Sequence, residues 1–164
     1  MSLEELLRDN IIRRIPPDAV LATRTLARAH RDVATAKTLI QNRDFDWALA
    51  IAYNAMLSAG RALMFNQGYR PSSTEGHVAV IKYLQVALSS ESGSKLVTVL
   101  NGMRKKRHRI VYEEMDVVSE NEAKRSIEWA EELIKKIDEM IQPKKYILST
   151  KNRGADTCSN LARS

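Results

Sequence analysis

The chain has one cysteine, four prolines and six glycines among its 164 residues, and only 5% of it is aromatic. Each shortage excludes something. Cys158 alone cannot close an internal disulfide, so a disulfide-stapled scaffold is excluded and a reducing, cytoplasmic location is the expectation. The aromatics are too sparse for a base-stacking platform of the single-strand-binding type. No stretch free of charge approaches the roughly 20 residues that cross a bilayer, so no membrane partner is expected. The first residues, MSLEELLRDN, carry Glu4 and Glu5 and no apolar h-region, and do not read as a secretory signal. There is no glycine-rich phosphate loop and no pair of Cys or His at metal-ligand spacing, so neither a cofactor nor a metal is expected. The histidines His30, His77 and His108 fall on three different predicted helices, and no Ser-His-Asp set can be assigned.

What is present is charge and helical periodicity. The net charge is +6, from 26 Lys+Arg against 20 Asp+Glu. The end of the chain takes most of it. From Pro143 onward, Lys144, Lys145, Lys151, Arg153 and Arg163 face only Asp156, a net of +4 that leaves +2 for the rest. The body is therefore not a generally basic nucleic-acid binder. The division expected is a single helical domain over 1–142 and a basic tail over 143–164 without helical periodicity, with no chemistry attached to Cys158.

Apolar residues recur three and four apart through almost the whole body, and no segment alternates as a strand between hairpin turns. Leu3 to Ile15 reads as a short amphipathic helix ended by Pro16-Pro17. From Asp18 to Asn42 the stripe is Ala22, Leu26, Ala29, Val33, Ala36 and Ile40, with His30 at its border. From Trp47 to Phe65 only Asn54, Ser58 and Arg61 interrupt an apolar or small sequence, which predicts a helix buried on most sides, started by Asp44 or Asp46 and stopped at Gly68. Ser72 and Glu75 form a predicted capping box for a fourth helix that carries His77, Val80, Ile81, Leu84 and Leu88 inward. Ser119 and Glu122 form another, ahead of a last helix with Ile127, Ala130, Ile134, Ile137 and Ile141 on its core side. There, Glu131 with Lys135 and Glu132 with Lys136 are spaced to pair along the helix. The fold class is all-α: an up-and-down antiparallel bundle of four long helices plus a short N-terminal one.

The fifth helix, Lys95 to Glu114, carries the anomaly. Its stripe is Leu96, Leu100, Met103 and Ile110, and where the period asks for one more hydrophobe stands Arg107. Around it runs Arg104-Lys105-Lys106-Arg107-His108-Arg109, the densest charge run in the chain. An unpaired guanidinium in a seam would cost several kcal/mol, so Arg107 must reach water, an acid or an anionic ligand. A basic run on a helix is more often a solvated face than a site. As a site, Arg104, Lys105, Arg107 and His108 would bind the phosphates of a polyanion.

Two segments resemble the HEPN family, small helical domains often encoded beside minimal nucleotidyltransferases. One is Ile51 to Leu63, an alanine-rich helix followed by the Gly68-Tyr69 turn and Glu75-Gly76-His77; the other is Met103 to Tyr112. The resemblance covers roughly residues 18 to 142 and implies a homodimer whose cleft holds an Arg and a later His, the active site of metal-independent RNases. Carried over by position, the catalytic candidates are Arg107, His108 and Tyr112. Tyr112 stands where the terminal histidine belongs, and a tyrosine, with a pKa near ~10, is a poor base at neutral pH. Arg104 and His108, four apart on one helix face, could imitate the pair. Three readings follow: a HEPN-like protein that binds RNA, nucleotide or a nucleotidyltransferase-type partner with weak or no catalysis; a metal-independent RNase toxin of a toxin–antitoxin pair; and a helical scaffold without a nucleic-acid role.

Overall fold

The computed structural model describes residues 1–72 and 76–142. Within them the most apolar segment of the sequence forms the central helix, α3 (Phe45–Gln67). Before it come α1 (Leu3–Arg8), β1 (Ile12–Arg14) and α2 (Ala19–Gln41); after it come β2 (Tyr69–Pro71), α4 (Gly76–Ala87), α5 (Glu91–Tyr112) and α6 (Glu120–Ile141). The chain is all-α apart from the two short strands. Helix α3 packs on α2, α4, α5 and α6. It fully buries Leu49, Tyr53, Met56, Leu57, Leu63 and Met64. Each such side chain contributes about 1.5–3 kcal/mol of transfer free energy, which makes α3 the main source of cohesion. By composition α3 is also long and apolar enough to cross a membrane, but 78% of that window is buried inside the fold.

Two glycines shape the ends and neighbours of α3. Gly68 takes a left-handed φ of +82° and its N–H closes the helix onto the carbonyls of Met64 and Phe65. Gly60 sits against α4, where an added Cβ would stand 2.6 Å from Cγ1 of Val80 and 2.8 Å from Cδ1 of Leu84. The close approach of α4 brings the start of that helix over the middle of α3.

The stripes on α2, α5 and α6 are buried as their spacing predicts, except that Ile40 and Ile141 at the helix ends are only half-buried. Several local expectations are corrected. The first helix does not reach Ile15. It ends at Arg8, Asn10 takes a positive φ of 53°, and Ile12–Arg14 pairs antiparallel with Tyr69–Pro71. Three residues per strand carry too little alternation to be seen, and the partner lies beyond two long helices. Asp44 is the N-cap of α3 but makes no side-chain capping bond. Asp46 instead accepts three backbone N–H bonds, from Asp116, Val117 and Val118, at 2.7, 3.1 and 3.0 Å, and so ties the α5–α6 loop to the start of α3.

The box at Ser119 is half formed: Ser119 Oγ accepts from the Glu122 N–H, but the Glu122 carboxylate turns to Lys106 Nζ at 2.5 and 2.6 Å. Glu131 pairs across helices with Lys37, and Lys136 donates to Ser92, in place of the two pairs along α6. Ser73, Thr74 and Glu75, and the tail from Pro143 that includes Cys158, lie outside the described residues.

Candidate functional site

The basic run of α5 is sorted by its helical geometry into two groups. One group stands beside carboxylates of its own neighbourhood. Lys106 is tied to Glu122, Arg109 to Glu114 at 2.9 Å, and His108 Nε2 stands 3.8 Å from a Glu113 oxygen. The other group, Arg104, Lys105 and Arg107, has no carboxylate within ion-pair distance among the described residues. Lys105 is exposed, while Arg104 and Arg107 are half-buried. Asn101 orients Arg104 by accepting from its Nε at 3.2 Å. Arg107, the charge that interrupts the stripe, lays its guanidinium over the ring of Tyr53, 5.9 Å from the centroid, in cation–π distance.

Tyr53 is the hub of what lies beneath. It is fully buried on α3, and its hydroxyl is 2.9 Å from Nδ1 of His77, in the first turn of α4. The two rings are tilted, with centroids 5.8 Å apart. Burial raises the Tyr53 phenol above its usual pKa, against the pull of Arg107, Arg104 and Arg61. It therefore stays protonated, and its proton needs an acceptor. Among the described residues His77 Nδ1 is that acceptor, which leaves the imidazole proton on Nε2. Burial lowers the pKa of His77, and the charges of Arg61, Arg107 and Arg104 lower it further. His77 is a neutral N–H donor at pH 7.

Arg61 completes the set from α3, just over two turns beyond Tyr53 and beside the start of α4. Its Nη2 lies 3.6 Å from where a Cβ on Gly76 would stand. Burial is the main cause that lowers its pKa, Tyr53 opposes this, and the positive charge of Arg28 on α2 adds to it. Arginine remains charged regardless, so the repulsion marks a positive field with no carboxylate paired to Arg61 among the described residues. No group of three or more His, Cys, Asp or Glu that could hold a metal exists among the described residues.

The sequence-predicted residues thus divide. Arg104 and Arg107 lie toward the Tyr53–His77 pair. His108 and Tyr112 lie against each other instead, their rings tilted with centroids 5.0 Å apart, and both are exposed, Tyr112 by 71%. His30 is also exposed, in a groove with Lys37, Glu131 and Asp138. Tyr53, Arg61 and His77 are not among the expected site residues. Tyr53 fits an apolar stripe and reads as core. The one sequence signal for His77 is its place at the opening of a helix, just after Gly76.

A family model described as HEPN domain matches residues 22–140. No curated protein and no solved structure matches the chain significantly.

Proposed function

The chain belongs to the HEPN family, and from that premise we propose that it binds RNA or nucleotide through phosphate, with weak or no catalysis of its own. The observation that carries this reading is the donor-only character of the site. Arg61, Arg104 and Arg107 offer guanidinium N–H groups, and His77 offers Nε2–H. Such a set holds a phosphate, and among the described residues it has no acceptor free to take a proton from an attacking hydroxyl. Lys105 and His108 extend the contact along the exposed side of α5. A nucleotidyltransferase-type protein is the alternative partner for the same basic surface. The test is fluorescence anisotropy with a labelled single-stranded RNA over a salt series. Binding that falls steeply with salt is expected, and Arg104→Ala with Arg107→Ala should weaken it at least about tenfold. Affinity unchanged in the double variant, with the fold intact by circular dichroism, overturns the reading.

A C2 homodimer with α5 near the axis accompanies this proposal. Its support is a pair of exposed apolar side chains near the end of α5: Trp47 and Met115, 50% and 84% exposed, line one hollow together with Arg43, Asp44, Asp46 and Asp116, with Tyr112 close by in sequence. Light scattering that gives a monomer at micromolar concentration sinks it. The second reading, a metal-independent RNase of toxin type, draws support from the adjoining rings of His108 and Tyr112 next to Arg107 on α5. There Arg107 would stabilise charge on the phosphate while His108 or Tyr112 assists attack by the ribose 2′-hydroxyl.

A further inference from the structure

Basic surfaces that follow an RNA strand are extended, because successive phosphodiesters each carry one charge and are spaced along the chain. The inner cluster of this protein is not extended. Arg61 and Tyr53 come from α3, His77 from α4, and Arg104 and Arg107 from α5, and all bear on one spot. Arg107 lies over the Tyr53 ring, and Arg61 flanks the start of α4, next to His77 in sequence. Arg28 on α2 adds its field through Arg61. Guanidinium groups that converge from separate helices suit one group of high charge with several acceptor oxygens, which they can hold with forked bonds.

We propose that Arg61, His77, Arg104 and Arg107, arranged around the buried hydroxyl of Tyr53, form a seat for a terminal phosphate, a phosphomonoester or the end of a polyphosphate, in preference to an internal phosphodiester. The proposal rests on the phosphate-binding reading above and names the ligand class of that site. A terminal phosphate carries about −1.5 to −2 charges at pH 7 and three strong acceptor oxygens. Three guanidinium groups and one imidazole N–H supply donors for all three oxygens. Tyr53 acts as a positioning residue: by donating to Nδ1 it keeps the His77 proton on Nε2, the atom left for the ligand.

The bound dianion would also change His77. Burial depresses the protonation of His77 most, and the facing charges of Arg61, Arg107 and Arg104 add to it, with Tyr53 neutral. A dianion among them offsets that repulsion, so binding should draw a second proton onto Nδ1 of His77, with the Tyr53 hydroxyl turning from donor to acceptor toward it. Phosphate affinity should then rise as pH falls from neutral, until the phosphate itself is protonated.

Two sources share this chemistry, a 5′-phosphorylated RNA end and a free nucleotide. The experiment compares the full chain against 5′-phosphorylated and 5′-hydroxyl oligoribonucleotides of one sequence, and against AMP and adenosine. The phosphorylated member of each pair should bind at least about tenfold more tightly, since the added group forms charge-assisted bonds. A preference within the RNA pair alone assigns the seat to RNA ends, and one within the nucleotide pair alone assigns it to free nucleotides. Arg61→Gln should remove the preference, and Arg61→Lys should restore part of it. The His77 ring resonance, followed by NMR over pH, should move to a higher midpoint on adding AMP or the preferred oligonucleotide. Equal binding of both members in both pairs overturns the proposal but leaves RNA binding in place; no binding of any of the four overturns both. A preference that survives Arg61→Gln, or a His77 midpoint that does not move, also overturns the seat as described.

Discussion

The hydroxyl of Tyr53 and Nδ1 of His77 stand 2.9 Å apart, a bond between the centre of the core helix and the first turn of α4. It sets the protonation of His77, and it makes folding stability depend on pH. His77 has a lowered pKa in the folded protein, so the unfolded chain binds more protons as pH falls below the ordinary histidine value of about 6.5. Stability should be level above that value and should decline toward pH 5. Urea unfolding at pH 7.5, 6.5 and 5.5 checks this, and in His77→Gln that part of the slope should vanish. Tyr53→Phe leaves Nδ1 without its donor and should cost about 1 kcal/mol at pH 7.5. An unchanged slope in His77→Gln would assign the acid sensitivity to other groups.

Asp46 accepts three consecutive N–H groups of the α5–α6 loop, and Asp116 in that loop holds a positive φ of 58° to present them. Asp46→Ala should destabilise the protein by about 2 kcal/mol, because three donors lose a charged acceptor at once. Asp116→Gly should be neutral or stabilising by up to about 1 kcal/mol, since glycine adopts that conformation without strain. Thermal unfolding of the two variants should therefore shift in opposite directions or in one direction only, never downward for both.

Tyr112 is 71% exposed and hydrogen-bonds to nothing among the described residues, so Tyr112→His should change stability by no more than about 0.5 kcal/mol. Its effect on chemistry should be larger. The natural protein is expected to show no or very weak cleavage of a fluorogenic RNA without divalent metal, and Tyr112→His should raise it, since imidazole titrates near neutral pH and phenol does not. Cleavage by the natural protein that His108→Ala abolishes would make His108 the catalytic group and the RNase reading the correct one.

Where the sequence spoke clearly, one residue's neighbours on its own helix decided its fate. Ala22 to Ala36 on α2, and Ile127 to Ile137 on α6, are buried because a 3.6-residue period is a local property. Arg107 was legible for the same reason: it broke a stripe. The residues that stayed hidden are those whose partner is remote. Tyr53 looks like any core aromatic until His77 arrives over it from another helix. Glu122 has the spacing of a capping residue, and only the packing of α5 on α6 reveals that Lys106 holds it instead. Ile12–Arg14 needed Tyr69–Pro71, across α2 and α3, before it could be a strand. A basic run names its charges but not which of them a neighbouring helix cancels.

The burial of α3 has a consequence for the chain as it is made. By length and composition α3 would pass for a membrane segment if it emerged alone. It does not emerge alone, because α2 precedes it and shares with it the largest helix–helix interface in the fold. The α2–α3 hairpin can close beside the ribosome on local contacts, while the sides of α3 that belong to α5 and α6 wait for residues not yet synthesised. Those sides stay open to water until α5 and α6, the last described helices, have been made and dock.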